Sequence, residues 1–162
     1  MSEPVRAIRT PIRLEYDFTA GRAMSRFLRG MAAGRVLGQR CPECTRVYVP
    51  PRGACPTCGV PTEAEVELSH RGTLTTFCVV NIPSQVLPIP VPYVCANILL
   101  DGADVPIFHL VQECPLEEVR MGMRVEAVWV PPEELKPTFE SIRYFRPTGE
   151  PDAPYDFYRE HL

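Results

Sequence analysis

Two short cysteine pairs are the residues of this chain best suited to do chemistry. Cys41-Pro-Glu-Cys44 is followed, after ten intervening residues, by Cys55-Pro-Thr-Cys58-Gly59. In a C-x-x-C pair both thiols sit at the mouth of one tight turn, so two pairs can converge four thiolates on a single tetrahedral zinc ion. Pro42 and Pro56 stand inside the pairs and Gly59 directly behind the second, where turn formers belong. A redox dithiol needs only one pair; a two-disulfide knot or unrelated core cysteines are the remaining alternatives, and the spacing argues against both. Four protein ligands leave no open position for water or substrate, so the metal, one zinc per chain, is expected to hold structure and not to catalyse. The stretch from Gln39 to Pro61 has too few large apolar side chains to fold by burial alone, so the metal there would supply folding free energy directly.

Nothing else in the sequence assembles a catalytic apparatus, and no catalytic residue is assigned. There is no nucleophile elbow, phosphate-binding loop or dinucleotide fingerprint. Of the three histidines, His109 falls within an apolar strand pattern on the face of Ile107 and Val111, which reads as a hydrogen-bonded barrel residue. His70 precedes a glycine turn and His161 lies in the tail. Cys78 and Cys95 fall within strand patterns, where cysteine behaves as a small apolar residue.

Composition bounds the class. A hydrophobic content of 45% with 23% charged residues is globular. The first residues lack the apolar core of a secretory signal, and no apolar run approaches membrane-spanning length, so the expectation is a cytoplasmic protein with no membrane contact. The formal charge of −3 hides an asymmetry: residues 1–40 carry eight arginines against three acids (+5), and residues 101–162 carry six basic against thirteen acidic groups (−7). An acidic second half with Lys136 as the only lysine makes general affinity for nucleic acid an unfavoured expectation.

Four regions must position the cysteines. Residues 1–38 read as an extended arm followed by an amphipathic helix. Ala20, Ala23, Met24, Phe27, Leu28, Met31 and Ala32 share one face, with Arg22, Arg26 and Arg29 opposite. Thr19 or Asp17 would cap its start, and Gly34 or Gly38 would end it. Met24, Phe27, Leu28 and Met31 are candidate partner-binding residues, the alternative being that the helix covers a core of its own chain. Residues 39–61 are the ribbon. Within 62–147, period-two patterns predict strands over 73–82, 93–100, 105–112, 123–130 and 139–146, with a short helix over 115–122 between the third and fourth. Three strands, a helix and two strands is the order of a five-stranded OB-fold barrel, with Gly72 suited to its kinked first strand. The fold class is therefore mainly β: an N-terminal helix, a zinc ribbon and an OB-fold barrel. Residues 148–162 form a proline-rich acidic tail ending in Tyr155, Phe157, Tyr158 and Leu162, suited to packing on something.

In this order the features resemble a known family: proteins with an N-terminal helix, a rubredoxin-like zinc ribbon and an OB-fold, formerly filed as a domain of unknown function. The resemblance rests on Gly34-Arg-Val-Leu-Gly-Gln-Arg-Cys41, Val49-Pro-Pro-Arg52, Arg71-Gly-Thr-Leu-Thr-Thr76, Pro92-Tyr93-Val94, Gly122-Met-Arg-Val125 and Tyr144-Phe-Arg-Pro147. It covers roughly residues 20–147. One departure is Thr45, where the family often has glycine behind the first cysteine pair. The resemblance implies a non-catalytic accessory subunit that binds and stabilises a thiolase-superfamily enzyme acting on acyl-CoA, with a dimer of heterodimers as the assembly. Some such partners are aldolases that shorten steroid side chains by retro-aldol cleavage. CoA phosphates would seek arginines such as Arg22, Arg26, Arg29 and Arg35, although no CoA-binding residue is assigned. Two alternatives of other classes remain: a single-stranded nucleic-acid-binding module, a use to which ribbons and OB-folds are put elsewhere, and a small acyl-CoA hydrolase in its own right.

Overall fold

The hydrophobic periods of the sequence become three connected layers in the computed structural model, which describes residues 6–8, 14–84 and 89–162. Helix α1 (Gly21–Ala32) precedes a three-stranded sheet of β1 (Val36–Arg40), β2 (Val47–Tyr48) and β3 (Ala64–Leu68), ordered β2-β1-β3. Five further strands follow: β4 (Arg71–Val80), β5 (Tyr93–Leu100), β6 (Ile107–Val111), β7 (Arg124–Trp129) and β8 (Ile142–Pro147). They close in the order β4-β5-β6-β8-β7, with β7 returning to β4. Every pairing is antiparallel except that of β6 with β8, which meet in parallel at Val111 and Phe145.

The barrel interior is filled by alternate residues of its strands. Leu74, Val94, Ala96, Ile98, Leu100, Val125 and Phe145 are all buried. Gly72 lets β4 approach β5 closely: a Cβ built on it would stand 2.5 Å from the Leu99 carbonyl oxygen, so only glycine permits that approach. A bulge between Leu74 and Thr76 then turns the outer half of β4 away from the core.

Helix α1 lies across β1 and the approach to β8, and its apolar face enters the same core as the barrel. The Phe27 ring is 4.9 Å from that of Phe139. Phe27 and Met31 retain 1% and 0% of their surface. The expectation that these two side chains bind a partner is therefore corrected: both face the core of their own chain. Met24 and Leu28 pack at its edge and are half-buried. The expected side-chain cap is also absent, because Ala20 takes the capping position and makes no such bond. The helix ends as expected at Gly34, whose φ of +67° accompanies bonds from the Ala33, Gly34 and Arg35 amides to the Gly30 and Met31 carbonyls. Gly38 instead lies within β1, where a Cβ would press on Val47 at 2.9 Å.

The helix expected over residues 115–122 is a single 3₁₀ turn, Leu116–Glu118, since Pro115 and Val119 on either side are extended. The last strand begins at Ile142 and not at residue 139, because Thr138 caps a 3₁₀ turn over Phe139–Ser141 by accepting the Glu140 amide. The tail packs back on the barrel: Ala153 N–H donates to Gly122 O at 2.8 Å, and a short helix α2 (Tyr155–Tyr158) buries Tyr158. Tyr155, Phe157 and Leu162 stay exposed. Most of the expected N-terminal arm lies outside the described residues; Ile8 and Leu14 within it are exposed. Among the described residues no helix is long and apolar enough to cross a membrane.

Candidate functional site

The two cysteine pairs form matching knuckles at the far end of the β1–β2 hairpin. In the first, Cys44 N–H points at Cys41 Sγ (3.5 Å) and Thr45 N–H donates to Cys41 O (3.1 Å). In the second, Cys58 N–H points at Cys55 Sγ (3.4 Å) and Gly59 N–H donates to Cys55 O (2.8 Å). Each knuckle is closed at its base by a backbone bond, Cys41 N–H to Arg46 O in the first and Cys55 N–H to Val60 O in the second. All four sulfurs then lie within 4.8 Å of one another. The Cys44 and Cys55 sulfurs are 3.7 Å apart, close to the ~3.8 Å edge of a tetrahedron with metal–sulfur bonds of about 2.3 Å. Cys41 and Cys55 are buried, and Cys44 and Cys58 nearer the surface.

The thiols of this cluster perturb one another strongly. Cys55 is pulled down to about 6, chiefly by the Tyr48 hydroxyl hydrogen-bonded to it at 3.3 Å. Cys58 is pushed up to about 12, chiefly by its hydrogen bond with Cys44 and by burial. Four converging sulfurs cannot all ionise without a cation between them, and a divalent soft-to-borderline ion is the partner their chemistry fits. The set is closed, so the ion it fits is structural.

Two contacts that sequence reasoning missed tie this centre to the rest of the fold. Tyr48 is the buried hydroxyl partner of Cys55, and Arg52 stacks over its ring at 5.7 Å. Asp104, in the turn between β5 and β6, accepts the Val47 amide at 2.8 Å and returns its own N–H to Val47 O at 2.9 Å. The knuckles are thereby fixed to the barrel. No motif marks either contact: Tyr48 lies between the cysteine pairs without ligand spacing, and Asp104 is 57 residues from Val47 in the chain.

The remaining polar candidates are dispersed. His109 Nδ1 accepts the Leu110 amide at 2.9 Å, its ring packs edge-on against Phe145, and burial holds its pKa below the ordinary value. His70 Nδ1 accepts from Trp129 Nε1, and His161 contacts Asp104 O. Of the candidate arginines, Arg26 pairs with Glu65 at 3.4 Å and Arg35 with Glu67 at 2.7 Å. Arg22 lines a cleft with Arg52, Pro50 and Pro51 where α1 begins. A second hollow of about 560 Å³, which no sequence motif announced, runs along the outer face of β5 and β6 and is lined by Pro50, Tyr93, Cys95, Phe108, Leu110 and Ile142 among others.

Comparison with known proteins agrees with this architecture. Residues 30–63 match the ChsH2 rubredoxin-like zinc ribbon domain and residues 65–130 the ChsH2 C-terminal OB-fold domain. A DUF35 domain-containing scaffold protein of Methanocaldococcus jannaschii is 40% identical over 96 residues, 58% of this chain and 67% of that protein. A protein of the same description from Pyrococcus furiosus is 32% identical over 94 residues, 58% of this chain and 68% of that one. Two solved structures share the fold. One is described as the Ltp2-ChsH2(DUF35) aldolase (TM-score 0.59, 24% identity, 78% of this chain and 95% of that chain). The other is a DUF35-family protein of unknown function from Sulfolobus solfataricus (TM-score 0.58, 18% identity, 78% and 84%). A four-thiol cluster in a rubredoxin-like ribbon carries one structural zinc. With its ribbon, its OB-fold and these relatives, the chain belongs to the DUF35 domain family.

Proposed function

We propose that this protein is a non-catalytic accessory subunit, which binds and stabilises a thiolase-superfamily enzyme acting on acyl-CoA. The finer reading is a retro-aldolase of steroid side-chain degradation. The observation that carries the reading is family membership: relatives at 40% and 32% identity are described as scaffold proteins. The fold likeness to a chain of the Ltp2-ChsH2(DUF35) aldolase is consistent with it.

In this reading Cys41, Cys44, Cys55 and Cys58 ligate the zinc, which sets the ribbon geometry and takes no part in the reaction. The chain divides into the arm and helix (1–38), the ribbon (39–61), the OB-fold (62–147) and the tail (148–162). Contact with the partner falls to the apolar side chains left outside the core: Tyr16, Phe18, Phe157 and Leu162, together with the half-buried Met24 and Leu28. The partner carries the catalytic groups. Acyl-CoA sits at or near the interface, and the cleft of Arg22 and Arg52 has the charge that its phosphates need.

Reconstitution tests this. A thiolase-fold enzyme co-expressed with the chain should be soluble and turn over acyl-CoA, and should lose solubility or turnover when expressed without it. Equal activity of that enzyme with and without the chain would contradict the proposal.

A further inference from the structure

Outside the ribbon, two other cysteines are brought together by strand register. Cys78 on β4 stands directly opposite Cys95 on β5. Opposed residues of an antiparallel pair have Cα atoms about 4.5–5.5 Å apart and project to the same side of the sheet, within the ~4.4–6.8 Å that a disulfide spans. Side chains do meet across the strands on this face: at the next outward-facing pair, Asn97 Nδ2 donates to Thr76 Oγ1 at 2.9 Å. Cys78 is exposed and Cys95 half-buried. Burial, and secondarily the neighbouring Cys78, raises the Cys95 thiol.

We propose that Cys78 and Cys95 form a redox-active dithiol, which closes to a cross-strand disulfide by exchange with a low-molecular-weight disulfide. The exposed Cys78 thiolate attacks one sulfur of the small disulfide RSSR, forming a mixed disulfide and expelling RS⁻. Cys95, as its thiolate, then attacks Cys78 Sγ, forming the protein disulfide and expelling the second RS⁻. The balance is two protein thiols and RSSR giving one protein disulfide and two RSH; the protein loses two electrons and two protons to the small molecule. The crosslink would tie down the part of β4 beyond its bulge, where Phe77, Cys78 and Val79 are exposed. It would also alter the wall of the outer hollow, which Cys95 lines. Cys114 is an internal comparator. Its thiol faces the Pro115 carbonyl at 3.4 Å, and it lies beyond the end of β6, with no strand register to place a cysteine opposite it.

The test uses the full-length, zinc-loaded protein incubated with oxidised glutathione, then alkylated and mapped by peptide mass spectrometry with zinc measured in the same sample. The expected result is a Cys78–Cys95 linked peptide pair lighter by two hydrogens, with zinc retained and no linkage at Cys114. In Cys95→Ser, which preserves side-chain shape, Cys78 should stop as its glutathione mixed disulfide. The proposal is overturned if wild-type Cys78 also stops at the mixed disulfide, if both thiols remain alkylatable, or if either links to a ribbon cysteine.

Discussion

Thr45 and Gly59 occupy the same place in the two knuckles. Each follows the second cysteine of its pair, each bonds its amide to the carbonyl of the first, and each has a positive φ, +63° and +72°. The second knuckle fills this left-handed position with the residue that adopts it freely. The first fills it with a β-branched residue, for which it is strained by about 1–2 kcal/mol. Thr45→Gly should therefore stabilise the zinc-loaded protein by about 0.5–1 kcal/mol, after allowing for the greater freedom of glycine in the unfolded chain. Urea denaturation reads this directly, and a lowered midpoint would contradict the account of the knuckle.

Phe27 joins the helix to the barrel. Phe27→Ala should cost about 3–5 kcal/mol, as expected for removing a fully buried aromatic side chain, out of a total stability of roughly 5–15 kcal/mol. Denaturant unfolding of the chain alone measures it. A loss below about 1 kcal/mol would mean that α1 is not part of this core.

His109 should give the protein a pH-dependent term. Burial holds its folded pKa below the ordinary value of 6.5, so the folded state favours the neutral ring. Above the unfolded pKa both states are neutral and the packing is fully available. As pH falls below about 6.5 the unfolded state takes up a proton first, and stability declines until the lower, folded pKa is passed. Wild type should therefore lose more stability than His109→Gln between about pH 7.5 and 5, a difference that cancels other acid-sensitive groups. Parallel pH profiles for the two proteins would contradict the burial assigned to this ring.

The ribbon should depend on every one of its four thiols. Cys41→Ser and Cys58→Ser are each expected to lose zinc and to lower stability and solubility, because the apparent binding free energy of a structural zinc, about 10–16 kcal/mol in small fingers, is folding free energy. Metal analysis with thermal unfolding checks this; full stability after either change would argue against a structural metal.

What could be read in the sequence followed the strength of its local signals. The two C-x-x-C pairs specified the knuckles because ligand spacing is a covalent matter. The β5 pattern was exact, Tyr93–Leu100, because its apolar alternation is bounded by a proline before and Asp101-Gly102 after. Strands β1 and β3 were missed. They are short, and although Ala64, Val66 and Leu68 of β3 alternate with Glu65 and Glu67, alanine and glutamate are weak strand formers, so pairing with β1 decides the element. Periodicity marks the apolar face of α1 as a set, but it says which residues share a face and not what covers them. Phe27 and Met31 proved to be covered by the chain itself. The opposition of Cys78 and Cys95 depends on the bulge between Leu74 and Thr76, which no residue pattern announced.

Whether this chain serves a partner enzyme is decided by an affinity pull-down of the tagged chain from its native host, with every recovered protein identified by mass and zinc quantified in the same sample. The expected recovery is a stoichiometric thiolase-superfamily enzyme with about one zinc per chain. Recovery of the zinc-loaded chain alone, or with nucleic acid in place of an enzyme, would contradict it.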